Sequence, residues 1–208
     1  QVSSDISAKL TARAMPALGL VALVMVGGYA IGLWAAQRWT LPAELLTMQA
    51  DPQDVLLHLR ELGFLRPEGW LWVLGNNLRA VLLASVLGAF TFGVLALVLL
   101  AAPVLLVGYF AGNLALAGVS AWTVLGALVL PHALVEIPAA MLAGAAIVRW
   151  GMVVVSPAHG RSLGHHWLAG FAEWARLMLG LVVPLLALAA AIEVFVTPWI
   201  AVRVLFGG

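Results

Sequence analysis

Long apolar runs separated by short polar breaks dominate this chain. A spanning helix needs about 20 mostly apolar residues. The pattern predicts five spans, at about 16–36, 79–100, 104–119, 132–155 and 174–196. The first is sharply bounded: Lys9 and Arg13 precede it, Arg38 follows it, and no ionisable side chain falls between Pro16 and Ala36. Between Arg79 and Arg149 the one formally charged residue is Glu136. Boundaries there are drawn from Gly, Pro, Asn and Trp, with a tight turn expected near Pro103. Thr197-Pro198 is expected to close the last span. The apolar stretch 121–130, ending at Pro131, is too short to span. It is expected to form a re-entrant or half helix whose end is covered by protein rather than lipid.

Polar residues gather between the first two spans. Segment 38–77 holds Glu44, Asp51, Asp54, Glu61 and Glu68, five of the nine acids, with Arg60 and Arg66. Asp51-Pro52-Gln53-Asp54 reads as a helix start: an N-cap, a proline in the first turn and an acid at the positive dipole end. Val55, Leu56, Leu59 and Leu62 then share a face, and Gly63 is a stop. The segment 51–63 is thus expected to be a short amphipathic helix lying along the membrane or over the bundle end. Trp70 and Trp72 suit an interfacial belt.

Composition agrees with the pattern and narrows the function. The 208 residues are 64% hydrophobic and 9% charged, with a mean hydropathy of +1.09. Soluble domains carry roughly 45–50% apolar and about 25% charged residues. The fold class is therefore all-α, a single polytopic helical membrane domain. Ten Lys and Arg spread along the chain form no phosphate-tracking stripe, so no nucleic-acid partner is expected. With no cysteine, disulfides, thiolate metal sites and cysteine nucleophiles are excluded. A chain beginning at Gln1 rather than Met reads as processed or as part of a longer one. Orientation is undecided: with five spans, five of the basic residues fall on each side. Gly108 and Gly112 fit a small-xxx-small pattern, read here as packing inside one bundle rather than as a dimer face.

Ionisable and amide side chains inside apolar spans are costly, and each is a functional hypothesis. The candidates are Asn76, Asn77 and Arg79, read as capping the second span, with Asn113 in the third, His132 and Glu136 in the fourth, and Glu193 in the fifth. His132 and Glu136 are one turn apart and share a helix face. Asn113, His132 and Glu136 are expected to point into the bundle. They can serve as interhelical hydrogen-bonding glue or as a proton or ion relay. A metal site is not expected, because one HxxxE pair offers two ligands and His165-His166 reads as an exposed polar pair. Ser85 and Ser120 have no His–acid partner at a recognisable spacing, and no GxxxxGK[ST] occurs. Neither a catalytic apparatus nor a cofactor is expected.

Several of these residues occur in a recognisable order. Asn76-Asn77 heads a span, two Gly-rich spans with Asn113 follow, and then come Pro131-His132-Ala-Leu-Val-Glu136 and Ala191-Ile-Glu193-Val-Phe-Val-Thr-Pro198. In this the chain resembles the stage II sporulation protein M family over nearly its whole length. Ala133 stands where that family often has Gly. The resemblance implies a membrane anchor working with cell-wall hydrolases in spore formers, or a membrane subunit beside ATPases or transporter-like proteins elsewhere.

Two function classes follow. One is a non-enzymatic scaffold in the cell membrane that recruits partner proteins, with 38–77 as a docking surface. The other is a permease-like subunit driven by a separate ATPase, with His132 and Glu136 on its path. The expected partners are the lipid bilayer and other membrane or membrane-associated proteins, and a homo-oligomer is compatible with either class.

Overall fold

The computed structural model describes residues 2–42, 46, 52–153 and 162–207. Among them the structure is helical without strands: α1 Val2–Ala36, α2 Pro52–Glu61, α3 Pro67–Phe90, α4 Val94–Leu116, α5 Ala121–Leu128, α6 Leu130–Met152 and α7 Leu163–Leu205. The apolar part of α1 from Met15, together with α3, α4, α6 and α7, gives five helices long and apolar enough to cross a membrane. The expected class therefore holds.

Close contacts between small residues set the directions of these helices. Gly28 of α1 lies against Ala101, Gly32 against Leu105 and Tyr109, and Gly112 against Ala36, so α1 and α4 run parallel. A Cβ on Gly32 would collide with the Leu105 carbonyl oxygen, and one on Gly108 with the Tyr29 carbonyl oxygen. Two helix backbones touch here. The small-xxx-small pair Gly108 and Gly112 thus packs inside the bundle, as expected. Gly88 meets Ile147, and Gly151 lies against Phe92 and Gly93 just past the end of α3, so α3 and α6 are also parallel. The Trp174 indole donates to Ser85 Oγ at 3.1 Å and the Trp70 indole to the Ala187 carbonyl at 3.0 Å. These two bonds set α7 antiparallel to α3. Successive spans therefore alternate in direction.

The second and third spans differ from the sequence expectation. They lie at Pro67–Phe90 and Val94–Leu116 rather than at 79–100 and 104–119. Asn76, Asn77 and Arg79 do not cap a helix; they lie inside α3, which starts at Pro67 with Arg66 as N-cap. Their polar side chains suggested a boundary, yet the helical backbone beneath them satisfies its own hydrogen bonds. The turn falls at Thr91–Gly93, where Phe92 (φ 54°) and Gly93 (φ 88°) take left-handed conformations. Thr91 Oγ1 clamps it, donating to the Leu87 carbonyl and accepting from the Leu95 N–H. Pro103 lies within α4 and makes no turn. The fourth span, α6, begins and ends close to its expected limits.

The last helix is longer than expected. It runs 43 residues, through Thr197-Pro198, and contains π-helical segments at Met178–Val182 and Ile192–Val196. Pro198 has no N–H to offer the Val194 carbonyl four residues back. That carbonyl instead accepts the Leu65 N–H at 3.1 Å. The proline is absorbed by a widened turn and a bond from the α2–α3 connection, and the helix continues.

Around this frame the shorter elements behave largely as read. Helix α2 packs against the end of α7 with Val55, Leu56 and Leu59 half-buried, and Gly63 (φ 95°) ends it. Leu62, expected on the same face, is 65% exposed. Asp51, the expected N-cap, lies outside the described residues. The stretch expected as a half helix forms α5, capped by Ser120, and packs mainly against the end of α7. Where α3 and α6 end, Trp150 packs in tilted contacts against Trp167, Phe171 and Trp174, and Arg149 pairs with Glu173 at 2.8 Å.

Candidate functional site

The sequence candidates separate into three groups. Asn113 is 1% exposed on α4 and belongs to a latch. Its Oδ1 accepts the Leu41 N–H at 2.6 Å, its Nδ2 donates to the Tyr109 carbonyl, and the Tyr109 hydroxyl donates to the Trp39 carbonyl. The chain leaving α1 is thereby tied to α4. Asn113 points inward, as expected, and its side-chain hydrogen bonds go to Leu41 and Tyr109.

On α3 the polar residues diverge. Asn77 faces the bundle, and its Nδ2 is buried without a hydrogen-bond partner. Asn76 and Arg79, three apart on the opposite side, are exposed. Arg79 sits at the middle of α3, and no ion pair among the described residues engages it. A guanidinium facing hydrocarbon at that depth costs roughly 2.5–3.5 kcal/mol on insertion scales.

The third group converges. His132 and Glu136 stand on one face of α6, with His132 Nε2 3.9 Å from Glu136 Oε2. Their side chains are 14% and 31% exposed, so both point inward as expected. Glu193 reaches them from α7: one ligand atom from each of the three lies within 4.8 Å of the others. Local sequence explains the meeting. Pro131 sits in the first turn of α6 immediately before His132, and the π-helical segment Ile192–Val196 shifts the phase of α7 around Glu193. Such π segments occur frequently at functional sites. Helix α5 and the Leu65–Val194 bond cover this end of the bundle.

At 3.9 Å the imidazole and carboxylate are too far apart for a direct hydrogen bond and close enough to share a third body. Among the described residues no Arg or Lys pairs with the three. The cluster therefore presents two carboxyl groups and one imidazole without a protein cation. Among the described residues four buried side-chain polar atoms lack partners, and two of them belong to this neighbourhood. His132 Nδ1 is in the cluster, and Thr197 Oγ1 is one turn beyond Glu193. Unsatisfied groups gathered in one place mark a site built for something other than packing.

The sequence pairs His132 with Glu136 but leaves Glu193 alone. No local spacing could have joined it to them; the signal was a second acid within an apolar span, and α6–α7 adjacency supplied the rest.

Five alternating apolar helices with ionisable groups gathered between two of them define a multi-pass membrane protein. A family model for Stage II sporulation protein M matches residues 21–198. The chain belongs to that family, as the order of its polar residues indicated. No curated protein and no solved structure matches it.

Proposed function

We propose that this chain is a non-enzymatic, permease-like subunit of a multiprotein complex in the cell membrane, and that His132, Glu136 and Glu193 bind and pass a cation or proton. One observation carries the reading: three ionisable side chains from two helices converge inside the bundle, beside a π-helical break. Interrupted helices with acids at depth characterise translocation paths. Interhelical glue needs one satisfied hydrogen bond rather than three ionisable groups at non-bonding separation.

The scaffold class keeps one supporting observation. The exposed Asn76–Arg79 face of α3 is expensive against lipid and suits a partner helix carrying an acid. An ATPase or a cell-wall enzyme is the partner class that the family resemblance suggests.

The test pairs complex recovery with flux in vesicles. Glu136→Gln keeps shape and hydrogen bonding but removes the titrating carboxyl. It should leave the complex intact while flux falls to the level of empty vesicles. Arg79→Leu should do the opposite, costing partner recovery while the isolated subunit stays folded. Full flux from an intact Glu136→Gln complex would end the permease reading. A co-purifying ATPase supports that reading, and a cell-wall enzyme supports the scaffold.

A further inference from the structure

We propose that His132, Glu136 and Glu193 hold a divalent transition-metal ion of the Zn²⁺ or Mn²⁺ kind. This rests on the cation reading above and names the cation.

Protein ligands lie about 2.0–2.2 Å from such an ion, so two of them stand at most about 4.4 Å apart. The His132–Glu136 separation of 3.9 Å already meets that limit, and the 4.8 Å bound on the trio exceeds it by a shift that side-chain rotation supplies. A ligand pair on successive turns of one helix, completed by a carboxylate from a second helix, is a common way for a bundle to build a metal site.

Charge favours a dication. Two carboxylates and a neutral imidazole around a doubly charged ion sum to zero, the favourable total where water is scarce. A monovalent ion would leave one negative charge uncompensated. Donor type then narrows the class. Imidazole suits Zn, Fe, Ni and Cu, whereas carboxylates also accept Mn; Mg²⁺ and Ca²⁺ prefer all-oxygen cages. His132 ligates through Nε2, the nitrogen 3.9 Å from Glu136 Oε2, and its Nδ1 keeps the proton. Three protein ligands leave coordination positions open, as in exchangeable sites rather than closed structural ones. Thr197 Oγ1, in a residue 6% exposed and itself without a partner, lies one turn from Glu193, where a coordinated water would find an acceptor.

The test uses Co²⁺ as an optical probe on the untagged full chain in lipid nanodiscs. One equivalent should bind with visible d–d absorption, be displaced by Zn²⁺, and resist excess Mg²⁺ and K⁺. Loss of a group that merely supports a metal ligand weakens binding about 10–100-fold, so Glu193→Gln should exceed about 100-fold. Glu193→Asp, which keeps a carboxylate, should retain the signal, and both variants should remain monodisperse. His165→Ala/His166→Ala should change nothing. The proposal is overturned by absent Co²⁺ absorption in folded protein, by equal binding in Glu193→Gln, or by a signal that disappears with His165 and His166. If metal is refused while Glu136→Gln still stops proton flux, the metal assignment fails and the relay stands.

Discussion

Replacing Glu193 by Gln should stop flux as completely as Glu136→Gln, and the double variant should be no worse than either single one. The two residues are 57 positions apart on different helices, yet their ligand atoms share a 4.8 Å cluster. Residues that act as one unit lose their function together, so their effects do not add. Independent sites more than about 7–10 Å apart add within about 0.3–0.5 kcal/mol, whereas coupled neighbours deviate by roughly 0.5–3 kcal/mol. Glu193→Gln with normal flux would remove Glu193 from the site. Strictly additive partial losses would place the two carboxyls on separate routes. Initial flux rates in vesicles holding equal amounts of complex decide between these outcomes.

The second large effect concerns stability. Gly108→Leu should lower the thermal midpoint of the purified chain by roughly 5–10 °C, because overpacking a filled contact costs typically about 1–3 kcal/mol. The obstacle at Gly108 is the Tyr29 backbone carbonyl, which no rotamer change can clear. Helices α1 and α4 would have to separate, and the Asn113 latch to Leu41 would open with them. Gly75→Ala is the matched control. A Cβ there meets nothing within 4 Å, so the gain in helix propensity of about 0.5–1 kcal/mol should hold or raise the midpoint. Equal midpoints for Gly108→Leu and the unaltered chain would show that α1 and α4 do not touch through these glycines.

The class of fold was legible because the bilayer imposes length and hydropathy on every span. The helix at 16–36 was read closely, since charges bracket it and none interrupts it. The start of the second span is not legible near residue 79, because Asn76, Asn77 and Arg79 read as helix caps. In the fold Asn77 faces protein, and the backbone beneath all three is continuous. Pro103 and Pro198 read as stops, yet both lie inside helices, because a carbonyl freed by a proline can find a replacement bond from another segment. For Pro198 that replacement is the Leu65 N–H on the Val194 carbonyl, a contact between distant segments that no window of sequence contains. The candidate site was legible to the same extent. His132 and Glu136 follow from an i,i+4 spacing, and Asn113 was named correctly as inward-facing but turned out to secure a connection. Joining Glu193 to the pair required the packing of α6 against α7.

The convergence of α6 and α7 at Glu136 and Glu193 is open to direct measurement because the chain has no cysteine. A Glu136→Cys/Glu193→Cys variant in native membranes can be bridged with Cd²⁺ or a short bifunctional thiol reagent and then cut at Arg149 or Arg161, which lie between the thiols in both pairs compared. The fragments should stay joined, while a Glu136→Cys/Glu173→Cys pair, with its second thiol near the opposite end of the bundle, should fall apart. Fragments that separate equally in both variants would contradict the site.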